Sequence, residues 1–150
     1  MHTALQEVIL LFMMILDINI YYLGLALIAA AMSNKGSFKD VEILSRAAWN
    51  ALHDKPKEAK LFGAFSTRFT QGGVNLYDNP FLVPESAGMN GRDGYVGWMG
   101  FGGSIFQWNP DYKIGFAYVP TMLDWTDLNN SKGLKLQKSV VECIQQRQRT

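Results

Sequence analysis

The chain has 150 residues, enough for one domain with a buried core. Charged residues make up only 18%, net charge is +1 and no basic run exceeds two residues, which leaves no electrostatic footprint for nucleic acid. A single cysteine, Cys143, excludes an intramolecular disulfide and a thiolate zinc site, and a buried structural thiol is the role it suggests.

Residues 8–32 are nearly all apolar, broken by Asp17, Asn19 and Gly24. Two readings stay open. The stretch is long enough to span a bilayer, which would make the protein membrane-associated. Against this, Asp17 near its middle costs about 2.5–3.5 kcal/mol on insertion scales, and the basic residues that open a secretory signal are absent before it. The second reading is a soluble buried helix over residues 23–32, with Leu25, Ala29 and Met32 on one face and Leu27 and Ala30 beside them. It leaves residues 1–22 unassigned and makes 23–150 the domain.

The helical pattern stops at Ser33, Asn34, Lys35 and Gly36, a polar terminus ending in glycine. Residues 37–44 read as a short extended connection. Ser45 is a suitable N-cap for a short helix over residues 46–53. Residues 54–60 are charged and contain Pro56, which predicts a solvated link. Phe62, Phe65 and Phe69 alternate loosely with small and polar residues and predict a strand over 61–70, broken by Gln71, Gly72 and Gly73. Pro80, Pro84, Gly88 and Gly91 make residues 75–92 irregular. Three strands follow, over 94–99, 104–108 and 112–119, with a turn at Asn109, Pro110 and Asp111 between the last two. Ile114, Phe116 and Tyr118 share one face of the third strand and Gly115, Ala117 and Val119 the other; both are apolar, so cover is expected on two sides. Asn129, Asn130 and Ser131 offer caps for a closing helix over 133–148, with Leu136, Val140, Cys143 and Ile144 as its apolar stripe and a fraying tail from Gln145. Helices, antiparallel strands and a closing helix make the class α+β.

Chemistry is sparse. His2 and His53 are far apart, with no carboxylate or second histidine at ligand spacing, so neither a metal nor another cofactor is expected. Asp124 and Asp127 flank Trp125 near a helix start and read as turn and capping residues. Ser104, His53 and Asp124 form a triad only on paper, because no G-x-S-x-G elbow carries the serine.

Residues 94–104 stand apart: five of the eleven are glycine inside an aromatic run. A glycine-rich strand marks a place where a ligand or another backbone comes close, whereas composition alone favours a surface loop between strands. The run Gly97, Trp98, Met99, Gly100, Phe101, Gly102, Gly103, Ser104, followed by Ile114 to Val119, resembles the C-terminal part of serine β-lactamase-related proteins. That family includes class C β-lactamases, D-alanyl-D-alanine carboxypeptidases, family VIII esterases and animal β-lactamase-like proteins, the last being the nearest in appearance. Leu25 to Asn34 with Gly36, then Ile43, Leu44, Ser45 and Trp49, extend the resemblance upstream. It implies part of a β-lactamase/transpeptidase-like fold over roughly residues 23–143, penicillin-binding-protein-like in its site plan.

By that resemblance, Trp98-Met99-Gly100 stands where the family carries Lys/His-Thr/Ser-Gly on a sheet-edge strand. The Phe101 N–H would be an oxyanion-hole donor, and Gly102 and Gly103 would admit substrate without side-chain obstruction. An uncharged aromatic wall suits a neutral ester or amide better than a carboxylate-bearing ligand. The family's Ser-x-x-Lys is absent: Ser33 is followed three residues on by Gly36, Ser45 by Ala48 and Ser104 by Gln107. Tyr77-Asp78-Asn79 fits Tyr-x-Asn in form but lies only about twenty residues before Trp98, far from the family position. The expectation is an inactive, esterase-like serine hydrolase portion. A non-catalytic binding remnant, tethered to a membrane through residues 8–32, is the alternative. The missing first strands of the family sheet would leave an open edge that favours self-association.

Overall fold

A computed structural model describes residues 19–61, 65–77, 92, 94–100, 102–127 and 130–149. Its helices are α1 (Asn19–Ser33), α2 (Arg46–His53) and α3 (Ser131–Arg149). A two-residue hairpin, β1 (Ser37–Phe38) and β2 (Val41–Glu42), joins α1 to α2. The strands β3 (Lys57–Leu61), β4 (Phe65–Phe69), β5 (Asn75–Tyr77), β6 (Tyr95–Met99), β7 (Ile105–Asn109) and β8 (Ile114–Tyr118) form one sheet in chain order. Each neighbouring pair is antiparallel. The fold is α+β.

Registers of β6, β7 and β8 explain why two covers are needed. Ile105 faces Tyr118, Gln107 faces Phe116 and Asn109 faces Ile114, so these six share one side. There Tyr77, Tyr95, Ile105, Ile114 and Phe116 pack with Ile144 of α3, backed by Leu136, Val140 and Val141. On the opposite side Val96 and Trp108 pack with Met32 of α1 and Val74, and Trp49 and Leu52 of α2 lie against them. Each buried Ile, Val or Phe contributes about 1.5–3 kcal/mol against exposure, so both layers are driven by apolar area. The expected two-sided cover of the Tyr112–Val119 strand is what the structure has.

Residues 23–32 lie in α1, in agreement with the buried-helix reading, and Ala29, Ala30 and Met32 of the expected rows are buried while the leucines of those rows are less so. Ala26, Ala29, Ala30 and Ser33 are buried, whereas Leu25 and Leu27 are half-buried and Ile28 is exposed. The cause is Gly115. A Cβ there would lie 2.3 Å from the Ala29 carbonyl carbon and the Ala30 nitrogen, so helix backbone and strand meet almost directly. Only methyl side chains fit beside such a contact. Among the described residues no helix is long and apolar enough to cross a membrane. The earlier part of the proposed 8–32 span lies outside the described residues.

Several expectations are corrected. The charged link at 54–60 includes most of β3, an edge strand whose Lys57 and Glu58 are exposed, as edges that resist pairing require. Residues 75–77, expected to be irregular, form β5; residues 78–91 lie outside the described set. Cys143 is exposed, not buried. Helical spacing turns Gln137, Val140, Val141 and Ile144 towards the sheet, and position 143 falls to the side of that row. The tail remains helical to Arg149, and Gln145 Nε2 donates to Tyr112 Oη at 3.3 Å. Ser45 caps α2 as expected, its Oγ accepting from Ala48 N–H at 3.2 Å.

Gly115→Ala is expected to lower stability by about 3 kcal/mol or more, because neither backbone can give way. Gly24→Ala, in α1 with nothing within 4 Å of the added Cβ, should raise it by about 0.5–1 kcal/mol. Urea unfolding of both variants, followed by tryptophan fluorescence, checks the pair.

Candidate functional site

The glycine-aromatic stretch folds as a hairpin. β6 and β7 pair from Val96↔Trp108 to Met99↔Ile105, and residues 100–104 make the connection. Gly97 has φ +131°, and a Cβ on it would lie 2.3 Å from the Phe106 carbonyl oxygen. The close backbone approach signalled by the sequence is therefore that of β7 itself. Within the connection, Gly100 N–H donates to Ser104 O at 2.7 Å and Gly103 N–H to Gly100 O at 3.2 Å.

Asn130, ahead of α3, ties this connection down. Its Nδ2 donates to Ser104 O at 2.9 Å and to Gly100 O at 3.3 Å, and the residue is only 2% exposed with φ +51°. Asparagine tolerates that left-handed backbone better than most residues, which is why one residue can both open a helix and bridge two carbonyls. Sequence reasoning named it as a cap and missed the bridge. Asp127 does the adjoining capping: both its carboxylate oxygens accept from Ser131 N–H, at 3.0 and 2.8 Å. Asp124 accepts from the Thr126 hydroxyl at 2.7 Å and from its N–H at 3.1 Å, and these bonds hold its carboxyl below the usual range. Both aspartates are turn and capping residues, as their spacing predicted.

The six residues implied as a cleft wall separate into different environments. Trp98 is 43% exposed and packs against Phe69, ring centroids 5.3 Å apart. Met99 packs on the opposite side, towards α3. Tyr77 packs in the same cluster, and burial raises the pKa of its phenol against lowering contributions led by the Asn75 side chain. Gly100 has its N–H committed to Ser104. Phe101, the implied oxyanion donor, lies outside the described residues. Gly102 and Gly103 are buried in the turn, where Gly102 lies against Leu123 and Gly103 near Pro120; Asp124 N–H also donates to Gly102 O at 3.1 Å. β6 itself is interior to the sheet, between β5 and β7. Pairing with β5 ends at Gly97, so Trp98 and Met99 extend past it.

His53, offered on paper as a base, is committed elsewhere. Its Nδ1 donates to Trp49 O at 2.7 Å and its Nε2 accepts from Trp108 Nε1–H at 2.9 Å. The two bonds fix the neutral ring with its proton on Nδ1. The ring stacks on Trp49, centroids 3.8 Å apart, and meets Trp108 edge-on at 5.8 Å. Burial lowers its pKa, partly offset by the Trp49 carbonyl. A protonated ring would gain about 0.5–1 kcal/mol of cation–π attraction to Trp49. It would also set Nε2–H against the Trp108 N–H, at a cost of about 1–3 kcal/mol for a buried unpaired donor. The neutral form wins.

A polar row runs between the sheet and α3. Arg92 Nε donates to Gln137 Oε1 at 3.2 Å, and Gln137 Nε2 donates to Gln107 Oε1 at 2.9 Å. Burial brings the Arg92 guanidinium down to about 10 and pushes the Tyr95 phenol up. Tyr95 Oη and Gln107 Nε2 have no hydrogen-bond partner among the described residues. Gln137 sits on the inward stripe of α3, at helical spacing from Val140, Val141 and Ile144; that polar break was the available signal. No His/Cys/Asp/Glu group able to hold a metal occurs among the described residues.

Comparisons with protein-family models, curated proteins and solved structures give no match.

Asn130→Gly keeps the left-handed backbone and removes both carbonyl bonds; it is expected to cost about 1–3 kcal/mol and to deprotect the Gly100 and Gly103 amides. Asn130→Ala adds about 1–2 kcal/mol of left-handed strain to that loss. Chemical unfolding together with amide hydrogen exchange separates the two contributions.

Proposed function

We propose that this chain corresponds to the C-terminal portion of a β-lactamase-related serine hydrolase, carrying one wall of an acyl-transfer cleft and no nucleophile. The observation that carries the reading is the β6–β7 hairpin. It presents Trp98 to solvent beyond the end of β5, while Asn130 holds its turn. Helices on both faces of an antiparallel sheet, in the order helix, helix, hairpins, helix, are consistent with that fold.

Acyl transfer needs an activated nucleophile and fixed donors aimed at the developing oxyanion, each donor being worth about 2.7–4 kcal/mol. Ser104 is not such a nucleophile: its half-buried Oγ sits over Gly100, and His53 has both nitrogens occupied. The Gly100 donor is satisfied internally, and the Phe101 N–H stays the donor that the resemblance carries over. The wall has no cation, so the substrate class of active relatives with this wall would be a neutral ester or amide.

The expected result is no labelling by a fluorophosphonate and no hydrolysis of a p-nitrophenyl ester or nitrocefin above a Ser104→Ala control. Serine-dependent turnover by this chain would overturn its inactivity. Sequencing the 5′ end of the transcript tests the assignment itself: an in-frame upstream Ser-x-x-Lys supports it.

The binding-remnant reading is favoured by one feature, the exposed apolar set of Trp98, Met122, Leu123 and Trp125. Self-association through β8 belongs to both readings. β8 ends the described sheet and carries no charge, unlike β3 at the other edge. Light scattering after size-exclusion chromatography should find species larger than a monomer; a clean monomer with cooperative melting would count against it.

A further inference from the structure

The helix α2 is attached to the sheet by few contacts. It has no fully buried residue of its own. Trp49 Nε1–H donates to Met32 O at 2.9 Å, His53 joins Trp49 to Trp108, and the last turn of α2 and the residue after it accept from the β4–β5 turn, Gly72 N–H to Leu52 O at 3.3 Å and Gln71 N–H to Asp54 O at 2.8 Å. Among these bonds, the one from Trp108 to His53 is the side-chain link between α2 and the sheet strands. Beneath it lie Val74, Val96 and Trp108.

We propose that His53 is an acid-released latch: a proton on Nε2 removes the acceptor for Trp108 Nε1–H, undocks α2 and uncovers the apolar surface under it. The ring is held from both sides, so no rotation satisfies the protonated form. Turning it over would place Nε2 at the Trp49 carbonyl and still leave a ring N–H facing the Trp108 N–H.

Among the described residues, the charged side chains in register with Leu76, Val96 and Trp108 on this face of the sheet are Arg68 of β4 and Glu58 of β3, and neither is among the causes of the lowered His53 pKa. The ring's faces and edges meet Trp49 of α2 and Trp108 of β7, neither of which titrates, and no charged group contributes to its shift. From α1 the packed residue is Met32, from β6 Val96, and from the turn Thr70–Val74 there is no ionisable side chain. On the helix's own flanks Arg46, Asp54 and Lys55 are exposed, and the Asp54 carboxylate accepts from Lys55 N–H at 2.8 Å.

The direction in pH follows from the neutral ring being the docked one. Undocked, His53 titrates near 6.5; docked, it titrates lower. Docking is therefore fully favoured above about 6.5 and is lost as pH falls towards the docked value. Each unit of separation raises the undocked-to-docked ratio about tenfold once pH is below both values.

The test is a pH titration from 8 to 5 of the whole chain by ¹H–¹⁵N NMR, following the His53 ring, the Trp108 indole N–H and the α2 amides. The expected result is a His53 midpoint below 6.5, with the indole and α2 signals moving at that midpoint. In His53→Gln, whose Oε1 can accept from Trp108 and does not titrate, those signals should hold still. A midpoint at or above 6.5, α2 signals indifferent to His53, or an unchanged pH response in His53→Gln would overturn the latch. If that variant does not fold, the wild-type ring decides. Long-range ¹H–¹⁵N correlations at pH 8 must show the proton on Nδ1, and a proton on Nε2 refutes the proposal.

Discussion

A strand that is apolar on both faces cannot rest on a surface. β8, with Ile114, Phe116 and Tyr118 on one side and Gly115 and Ala117 on the other, requires helical cover above and below. That requirement sets the architecture. α3 answers one side with Val140, Val141 and Ile144; α1 answers the other with alanines drawn down onto Gly115. Once α1 is fixed, Met32 extends towards Val74, Val96 and Trp108, and its carbonyl gives Trp49 the acceptor that seats α2.

The hairpin at the centre of the functional reading gains its shape from the same layering. Asn130 belongs to the start of α3, so the helix covering the sheet also ties the carbonyls of Gly100 and Ser104. The glycines of the connection serve the chain's own packing: Gly97 accommodates β7, and Gly102 accommodates Leu123. What remains outward is Trp98, an uncharged aromatic surface.

Much of the fold was legible because its signals were local. Period-two alternation located β8, the runs on either side of the glycine turn read as β6 and β7, Ser45 announced α2, and the turn at Asn109–Pro110–Asp111 was readable from residue type, with Asn109 Oδ1 accepting from Asp111 and Tyr112 N–H. What escaped depended on distant partners. β3 is charged and exposed, so nothing in its own composition distinguishes it from a link; only pairing with β4 makes it a strand. β5 has three residues, too few for a period. Leu25 and Leu27 were placed in the buried rows of α1 beside Ala29, Ala30 and Met32 because hydrophobicity, and not the nearness of Gly115, is what a sequence displays. At the site, the hairpin was legible and its fastening was not, since Asn130 lies 26 residues from Ser104.

One glycine of α3 carries a further consequence. A Cβ at Gly133 would lie 2.5 Å from Ile105 Cδ1 and 2.9 Å from the Tyr118 ring, so α3, like α1 at Gly115, touches the sheet through a missing side chain. Every single-nucleotide change that alters a glycine codon's meaning either adds a side chain or stops translation. Missense drift therefore has little neutral ground at positions 115 and 133, while Met122, 72% exposed, is under no such steric limit. Lesions at these two glycines would be among the first to end folding. Their survival in a population of alleles would report whether the folded chain still matters to its cell.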